Sequence, residues 1–253
     1  MTKHPTGSSN AMLVARSLAF NAAFYINLGL HMTAAIPTFV LPQWMMVQIS
    51  RSWGATSLWL LRVICGIKVE WHGLEKIPKG AFLVAAKHQS AWETFALLPL
   101  FPMPTAIVKR ELLRIPWFGW HLWKCGMIAV DRSAGRDALS GVIAGTRAAL
   151  ANGRQVIIFP EGTRRPPGAE PDYKLGIVQV YSAVGAPCLP IALNSGLFWP
   201  RRKFVRYPGT VRVEILDPLP ANLPKREFFA RLRHDIEAAT ARLVAEGERD
   251  LAA

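Results

Sequence analysis

From residue 67 onward one figure recurs: a short apolar run, a polar turn, then a stretch with helical spacing. Residues 82–86, 156–159 and 189–193 are almost continuously apolar, the pattern of strands buried on both faces. Residues 67–71 alternate apolar and polar, as do 211–215 through Val211, Val213 and Ile215, which suits strands with one wetter face. Runs at 105–108 and 127–130 complete seven predicted strands. Between them, residues 136–151 predict a helix that ends at Asn152-Gly153, where a C-terminal glycine is expected. A second helix is expected to begin over 91–98. The last, 225–246, puts Phe228, Leu232, Ile236, Ala239 and Leu243 on one face. Strands alternating with helices predict a layered α/β domain over residues 65–253.

Residues 1–64 have a different texture. The first ten are polar and are expected to be loose. No formally charged residue occurs from Ser17 to Ser50. As a helix, residues 17–36 would span about 30 Å, enough to cross a hydrocarbon core. Asn21, Asn27, His31 and Thr33 interrupt that stretch, and Pro37 and Pro42 break the chain just beyond it. Residues 43–64 are again apolar apart from Gln48, Arg51, Ser52 and Arg62. Trp44, Trp53 and Trp59 fall in this region, with Trp71 just after it, and tryptophan favours bilayer interfaces. A single span, a helical hairpin sunk in one leaflet and a buried helical pair all fit; the hairpin anchor is favoured. The apolar stretch is too long for a cleavable signal peptide.

Composition narrows the partners. Thirty Lys and Arg stand against 17 acidic residues, a formal charge of +13, in a chain that is 51% hydrophobic. That balance favours an anionic partner. No helix-turn-helix, zinc-ligand or RNA-binding signature accompanies it, so lipid is favoured over nucleic acid. Cys65, Cys125 and Cys188 are widely spaced and odd in number. They predict neither a disulfide framework nor a metal site and read as small buried residues.

Two turns carry the candidate chemistry. After the 82–86 run comes Lys87-His88-Gln89-Ser90-Ala91-Trp92-Glu93. A carboxylate about one turn into the following helix can reach one imidazole nitrogen and leave the other free to take a proton. The plain alternative is a structural hydrogen bond. After the 156–158 run comes Phe159-Pro160-Glu161-Gly162-Thr163-Arg164. Its guanidinium suits phosphate and its glycine lets backbone amides approach an anion; the plain alternative is a tight turn with a surface ion pair. Trp117, Trp120 and Trp123 recur every three residues, one flank of a helix. Core packing is the favoured reading, a channel wall or interfacial ledge the alternative.

Together these strings resemble the glycerolipid acyltransferase family, and more narrowly its bacterial 1-acylglycerol-3-phosphate acyltransferases. Residues 87–94 resemble the first family block, Gly126-Met127-Ile128-Ala129-Val130-Asp131-Arg132 the second, and Phe159 to Arg164 the third. Ala186-Pro187-Cys188-Leu189-Pro190-Ile191-Ala192-Leu193-Asn194-Ser195-Gly196 resembles the fourth. Four blocks in order over residues 65–220 are specific where one alone is not. One position departs: the family usually carries Asp where this chain has Glu93.

The resemblance implies a mostly parallel or mixed sheet flanked by helices, with a membrane-embedded N-terminal helical pair. It implies direct transfer of an acyl group from acyl-coenzyme A or acyl carrier protein to lysophosphatidic acid, giving phosphatidic acid, with no cofactor and no metal. His88 is then the general base and Glu93 its orienting carboxylate. Arg132 and Arg164 are the expected phosphate ligands, with Glu161, Gly162 and Thr163 forming the pocket and Glu161 pinning an arginine or receiving a substrate hydroxyl. Lys87, Arg165 and Lys174 read either as added positive field or as plain surface charges. A Ser90–His88 acyl-enzyme is the chemical rival. Expected location is the bacterial inner membrane, with the catalytic domain on the cytoplasmic face because basic residues dominate after Ser50. Two other readings stay open: an acyltransferase for a lysolipid such as lyso-ornithine lipid, and a non-catalytic protein binding anionic lipid.

Overall fold

The computed structural model describes residues 8–131 and 135–252. The chain begins with helix α1 (Ser8–Ala34) and continues through a 3-10 turn (Ile36–Phe39) to α2 (Gln43–Cys65). Strand β1 (Ile67–His72) comes next, then β2 (Phe82–Ala86), α3 (Glu93–Ala96), β3 (Pro104–Lys109), α4 (Arg110–Leu113), α5 (Phe118–Lys124) and β4 (Ile128–Val130). The rest is α6 (Gly135–Ala151), β5 (Gln155–Ile158), α7 (Gly176–Val184), β6 (Cys188–Leu193), β7 (Gly209–Ile215) and α8 (Lys225–Ala252). All seven expected strands are present. Two helical expectations shift. The 91–98 helix shrinks to the four residues of α3, because Pro99 stands in the adjoining 3-10 turn (Leu98–Leu100). The last helix runs six residues further than its expected end at 246.

The strands form one sheet in the order β1-β7-β6-β2-β5-β3-β4. Every pairing is parallel except β6 with β7. The central strand β2 is buried at all five positions and feeds two cores by alternation. Phe82, Val84 and Ala86 join a cluster with Phe20, Leu61, Phe95, Ile191 and Val213. Leu83 and Ala85 join another with Val142, Tyr181, Phe228, Leu232 and Ile236. Burying an aliphatic side chain in this way contributes roughly 1.5–3 kcal/mol, which explains why the central runs are apolar throughout.

Helices α1 and α2 pack as an antiparallel hairpin whose inner face belongs to the first core. Phe20 is fully buried, and Phe24 packs its ring on Trp53, Phe95 and Trp199. Arg206 clamps α1 to the body: its guanidinium stacks on Phe20 and Trp199, bonds Asn21 Oδ1 at 2.6 Å, and its amide donates to Ser17 Oγ. The polar residues that interrupt α1 are satisfied within the protein. Asn27 Nδ2 donates to Thr56 and Ser57, His31 faces Ser52 Oγ and the Asn27 carbonyl, and Thr33 donates to the Gly29 carbonyl. The outer face is apolar and open, with Leu18, Tyr25, Ile26 and Leu30 on α1 and Trp59 and Val63 on α2 all exposed. Within α1, the stretch Asn10–Ala34 is long and apolar enough to cross a membrane by length and composition.

Candidate active site

Register decides which loops meet. Ala85 of β2 lies opposite Ile158 of β5, and Ala86 opposite Ile191 of β6. All three strands run parallel, so the turns after them emerge at one edge of the sheet, where open α/β sheets place their sites. The 87–93, 159–165 and 194–196 segments are thereby brought together. The second block leaves from β4, beyond β5 and β3 in strand order. Its Arg132 lies outside the described residues.

His88 Nδ1 faces Glu93 Oε1 at 2.9 Å. An ionised carboxylate only accepts, so Nδ1 donates to it, and in the neutral imidazole Nε2 is then the nitrogen that carries the lone pair. Nε2 has no hydrogen-bond partner among the described residues, and the side chain is 13% exposed. Phe159 lies flat against the imidazole, centroids 4.1 Å apart, and limits the ring to one plane. Glu93 stands at the first position of α3 rather than one turn in. From there its carboxylate reaches back: Oε1 accepts from the amides of Gln89 (2.6 Å) and Ser90 (2.7 Å), and Oε2 accepts from Ser195 Oγ (2.8 Å). The loop is built around the longer Glu side chain, which accommodates the departure from Asp. Ser90 Oγ accepts from the Trp92 amide and is fully buried, an arrangement that caps a turn and does not favour Ser90 as a nucleophile.

Lys87, one residue earlier, points the other way. Its ammonium is buried between Glu161 Oε1 (2.9 Å) and Glu237 Oε1 (2.7 Å) of α8, and Tyr173 donates to that same Glu237 oxygen. It is a core ion pair, not a surface charge. Glu161 is almost fully buried, and its Oε2 accepts from the His88 amide at 3.3 Å. Burial pushes the Glu161 carboxyl up, while the Lys87 charge and the hydrogen bonds from Lys87 and His88 pull it back. Burial, then the Glu237 charge, pushes the Tyr173 hydroxyl far up, so it stays a donor. Glu161 therefore pins a lysine and the histidine backbone, and among the described residues no arginine partners it.

The 159–165 turn closes through Gly162, whose amide bonds the Phe159 carbonyl at a φ of +64°, a region that favours glycine. Thr163 and Arg164 are half-buried. The amide of Arg165 donates to the His88 carbonyl at 2.8 Å, so Arg164 lies one residue from a direct tie to the histidine loop. The Arg164 guanidinium has no partner among the described residues, whereas that of Arg165 donates to the Glu170 carbonyl and Lys174 pairs with Asp172. Arg201 Nη1 donates to the Arg164 carbonyl, bringing another cation to the rim.

Four participants carry no role that sequence reasoning assigns: Ser195, Glu237, Tyr173 and Arg201. Ser195 lies within a family-like block, but its hydroxyl next to an asparagine and a glycine reads as a turn. Glu237 has one weak signal, an acidic residue beside the buried stripe of α8. All three cysteines are buried and free.

A histidine held by a carboxylate through one nitrogen and open at the other thus stands in a loop tied to the turn that carries Arg164, whose guanidinium has no partner among the described residues. A family model described as Acyltransferase matches residues 68–194, and the chain belongs to this acyltransferase family. A 1-acyl-sn-glycerol-3-phosphate acyltransferase of Pseudomonas aeruginosa is 38% identical over 198 residues, covering 78% of this chain and 77% of that one. The human 1-acyl-sn-glycerol-3-phosphate acyltransferase alpha is 29% identical over 163 residues, 63% of this chain and 58% of its own. The fold matches the crystal structure of the 1-acyl-sn-glycerophosphate acyltransferase PlsC of Thermotoga maritima. The TM-score is 0.73 at 23% identity, over 90% of this chain and 97% of that one.

Proposed function

We propose that the protein transfers a fatty acyl group from an acyl thioester to the sn-2 hydroxyl of 1-acylglycerol-3-phosphate, giving phosphatidic acid, with His88 as general base. The observation that carries this is the His88–Glu93 clamp with Nε2 left open. Nε2 takes the hydroxyl proton as the oxygen attacks the thioester carbonyl. The tetrahedral adduct then expels the thiolate, which recovers a proton from the imidazolium. Glu93 holds the tautomer and stabilises that imidazolium, as the carboxylate of a catalytic triad does. Arg164, aided by Arg132, receives the phosphomonoester. The donor is acyl-coenzyme A or acyl carrier protein, and no cofactor takes part. The Pseudomonas relative's name supports this acceptor.

Purified protein given lysophosphatidate and an acyl thioester releases free thiol under this reading, and a matrix of donors against acceptors ranks the pairs. Absence of thiol release with every acceptor sinks the enzymatic proposal. Faster transfer to a lysolipid lacking a phosphomonoester sinks the acceptor.

The α1–α2 hairpin is proposed to sit in one leaflet of the bacterial inner membrane, with the catalytic sheet on the cytoplasmic side. Its open apolar face and its internally satisfied polar residues support this, since unpaired polar groups are costly in hydrocarbon. Apolar burial is not screened, whereas exposed charges are screened within about 3 Å at 1 M salt. The chain therefore stays in the membrane pellet after a high-salt wash; its appearance in the supernatant overturns the anchor.

A further inference from the structure

The three tryptophans at 117, 120 and 123 are not core residues. They are 42%, 58% and 70% exposed and form the outer edge of a finger made of α4 and α5. The finger is compact because Gly119 has no Cβ; one built there would lie 2.2 Å from the Leu113 carbonyl oxygen. At its base Trp117 adopts φ +66°, a conformation bulky residues seldom take. Leu112 and Ile115 are exposed beside it.

The finger is fastened to the tip of the hairpin. His121 faces the Met32 carbonyl at 2.9 Å and stands edge-on to the Phe39 ring. Lys124 donates to the carbonyls of Phe39 (3.1 Å) and Leu41 (2.8 Å), and Gln43 donates to the Lys124 carbonyl. Across this joint runs a shallow apolar cavity of about 510 Å³, lined by Phe39, Leu113, Gly119, Trp120 and Trp123. Val40 and Trp44 continue the apolar surface onto the hairpin, at 89% and 54% exposure.

We propose that the α4–α5 finger is a second membrane-contact element, seated at the headgroup–acyl boundary of an anionic bilayer. Three observations identify the occupant. The surface is continuous with the open apolar face of the hairpin. Its exposed aromatics are tryptophans, which prefer that boundary. Residues 109–124 carry Lys109, Arg110, Arg114 and Lys124 against Glu111; with Asp131 paired to Arg110 a positive excess remains, the sign that complements anionic lipid. With hairpin tip and finger locked together, the finger widens the membrane contact beyond the hairpin and fixes the tilt of the sheet edge over the bilayer. A hairpin alone would leave the domain free to swing.

The inference rests on the hairpin being membrane-associated, and the test separates the two. Full-length protein and its Trp120→Phe/Trp123→Phe variant are bound to vesicles of equimolar phosphatidylcholine and phosphatidylglycerol. Part of the lipid is brominated near the carbonyl end of its chains. The wild-type-minus-variant emission reports these two indoles alone. It is expected to be quenched several-fold by bromolipid and to resist aqueous iodide. Trp123→Phe by itself removes the most exposed ring and guards against misfolding of the double variant. Vesicle binding with a difference emission quenched by iodide and not by bromolipid overturns the finger and leaves the hairpin standing. Failure to bind vesicles at all overturns both. Protection from both quenchers in a species of doubled mass assigns the ledge to a second copy of the chain and overturns the proposal.

Discussion

Lys87 and His88 are consecutive residues leaving the same strand, and they face opposite worlds. Alternation sends Lys87 to the α8 side, where two carboxylates hold its charge and almost no surface remains. His88 turns to the hairpin side, where one carboxylate holds one nitrogen and the other nitrogen is open. Glu161 serves both, through Lys87 Nζ and through the His88 amide. The contrast separates two uses of buried charge. Around Lys87 the polar groups neutralise one another and lock the loop. Around His88 they are arranged so that one valence is left over, and a leftover lone pair is what acid–base chemistry requires.

The widest separation comes from His88→Ala. It removes the proposed base and leaves the lock, so activity is expected to fall by about 10²–10⁴ while the denaturation midpoint stays near that of the parent. Thiol-release kinetics and urea unfolding check the two halves; wild-type turnover by a folded mutant denies His88 the base role. Lys87→Met is the mirror image. It leaves the buried Glu161 and the half-buried Glu237 without their cation, a loss of about 3–5 kcal/mol for breaking a buried pair, read as a lowered urea midpoint. Adding Glu161→Gln to it recovers part of the loss if the uncompensated charge is the cause.

Glu93→Asp tests the His88 side more finely. The shorter side chain cannot hold the Gln89 and Ser90 amides, Ser195 and the imidazole all at once. A displacement near 1 Å costs about 10² in kcat. Retained activity would mean that α3 moves to follow the carboxylate. The smallest effect belongs to the rim. Arg164→Ala removes a charge-assisted bond of roughly 1.5–3 kcal/mol, raising the acceptor KM by about ten- to a hundredfold. A lysolipid without a phosphomonoester is unaffected. Unchanged saturation by lysophosphatidate moves the phosphate site elsewhere.

Much of this arrangement is legible in the chain. The central strands announce themselves because a sheet covered on both faces needs apolar runs, β1 and β7 by alternation, and four family-like blocks mark the strand ends. What escapes is long-range. Lysine at a strand end reads as solvated, and nothing near Lys87 advertises Glu237. The indoles at 117, 120 and 123 have the same spacing whether they fill a core or face outward; only the packing of α5 against the hairpin tip distinguishes the two. The extent of α3 escapes as well, because the apolar residues after Glu93 continue the helical pattern, while Pro99 and the 3-10 turn stop it early.

The bond from Lys87 to Glu237 joins residues 150 positions apart, and that distance sets a clock. A ribosome adding 5–20 residues per second needs roughly 8–30 s to travel from one to the other. During that interval the N-terminal hairpin is already made, and Lys87 has at most Glu161 for company. The histidine loop is locked only when α8 has been synthesised and has docked. A nascent chain is thus without a finished histidine loop until the last helix arrives, whether or not its hairpin has already met the proposed bilayer.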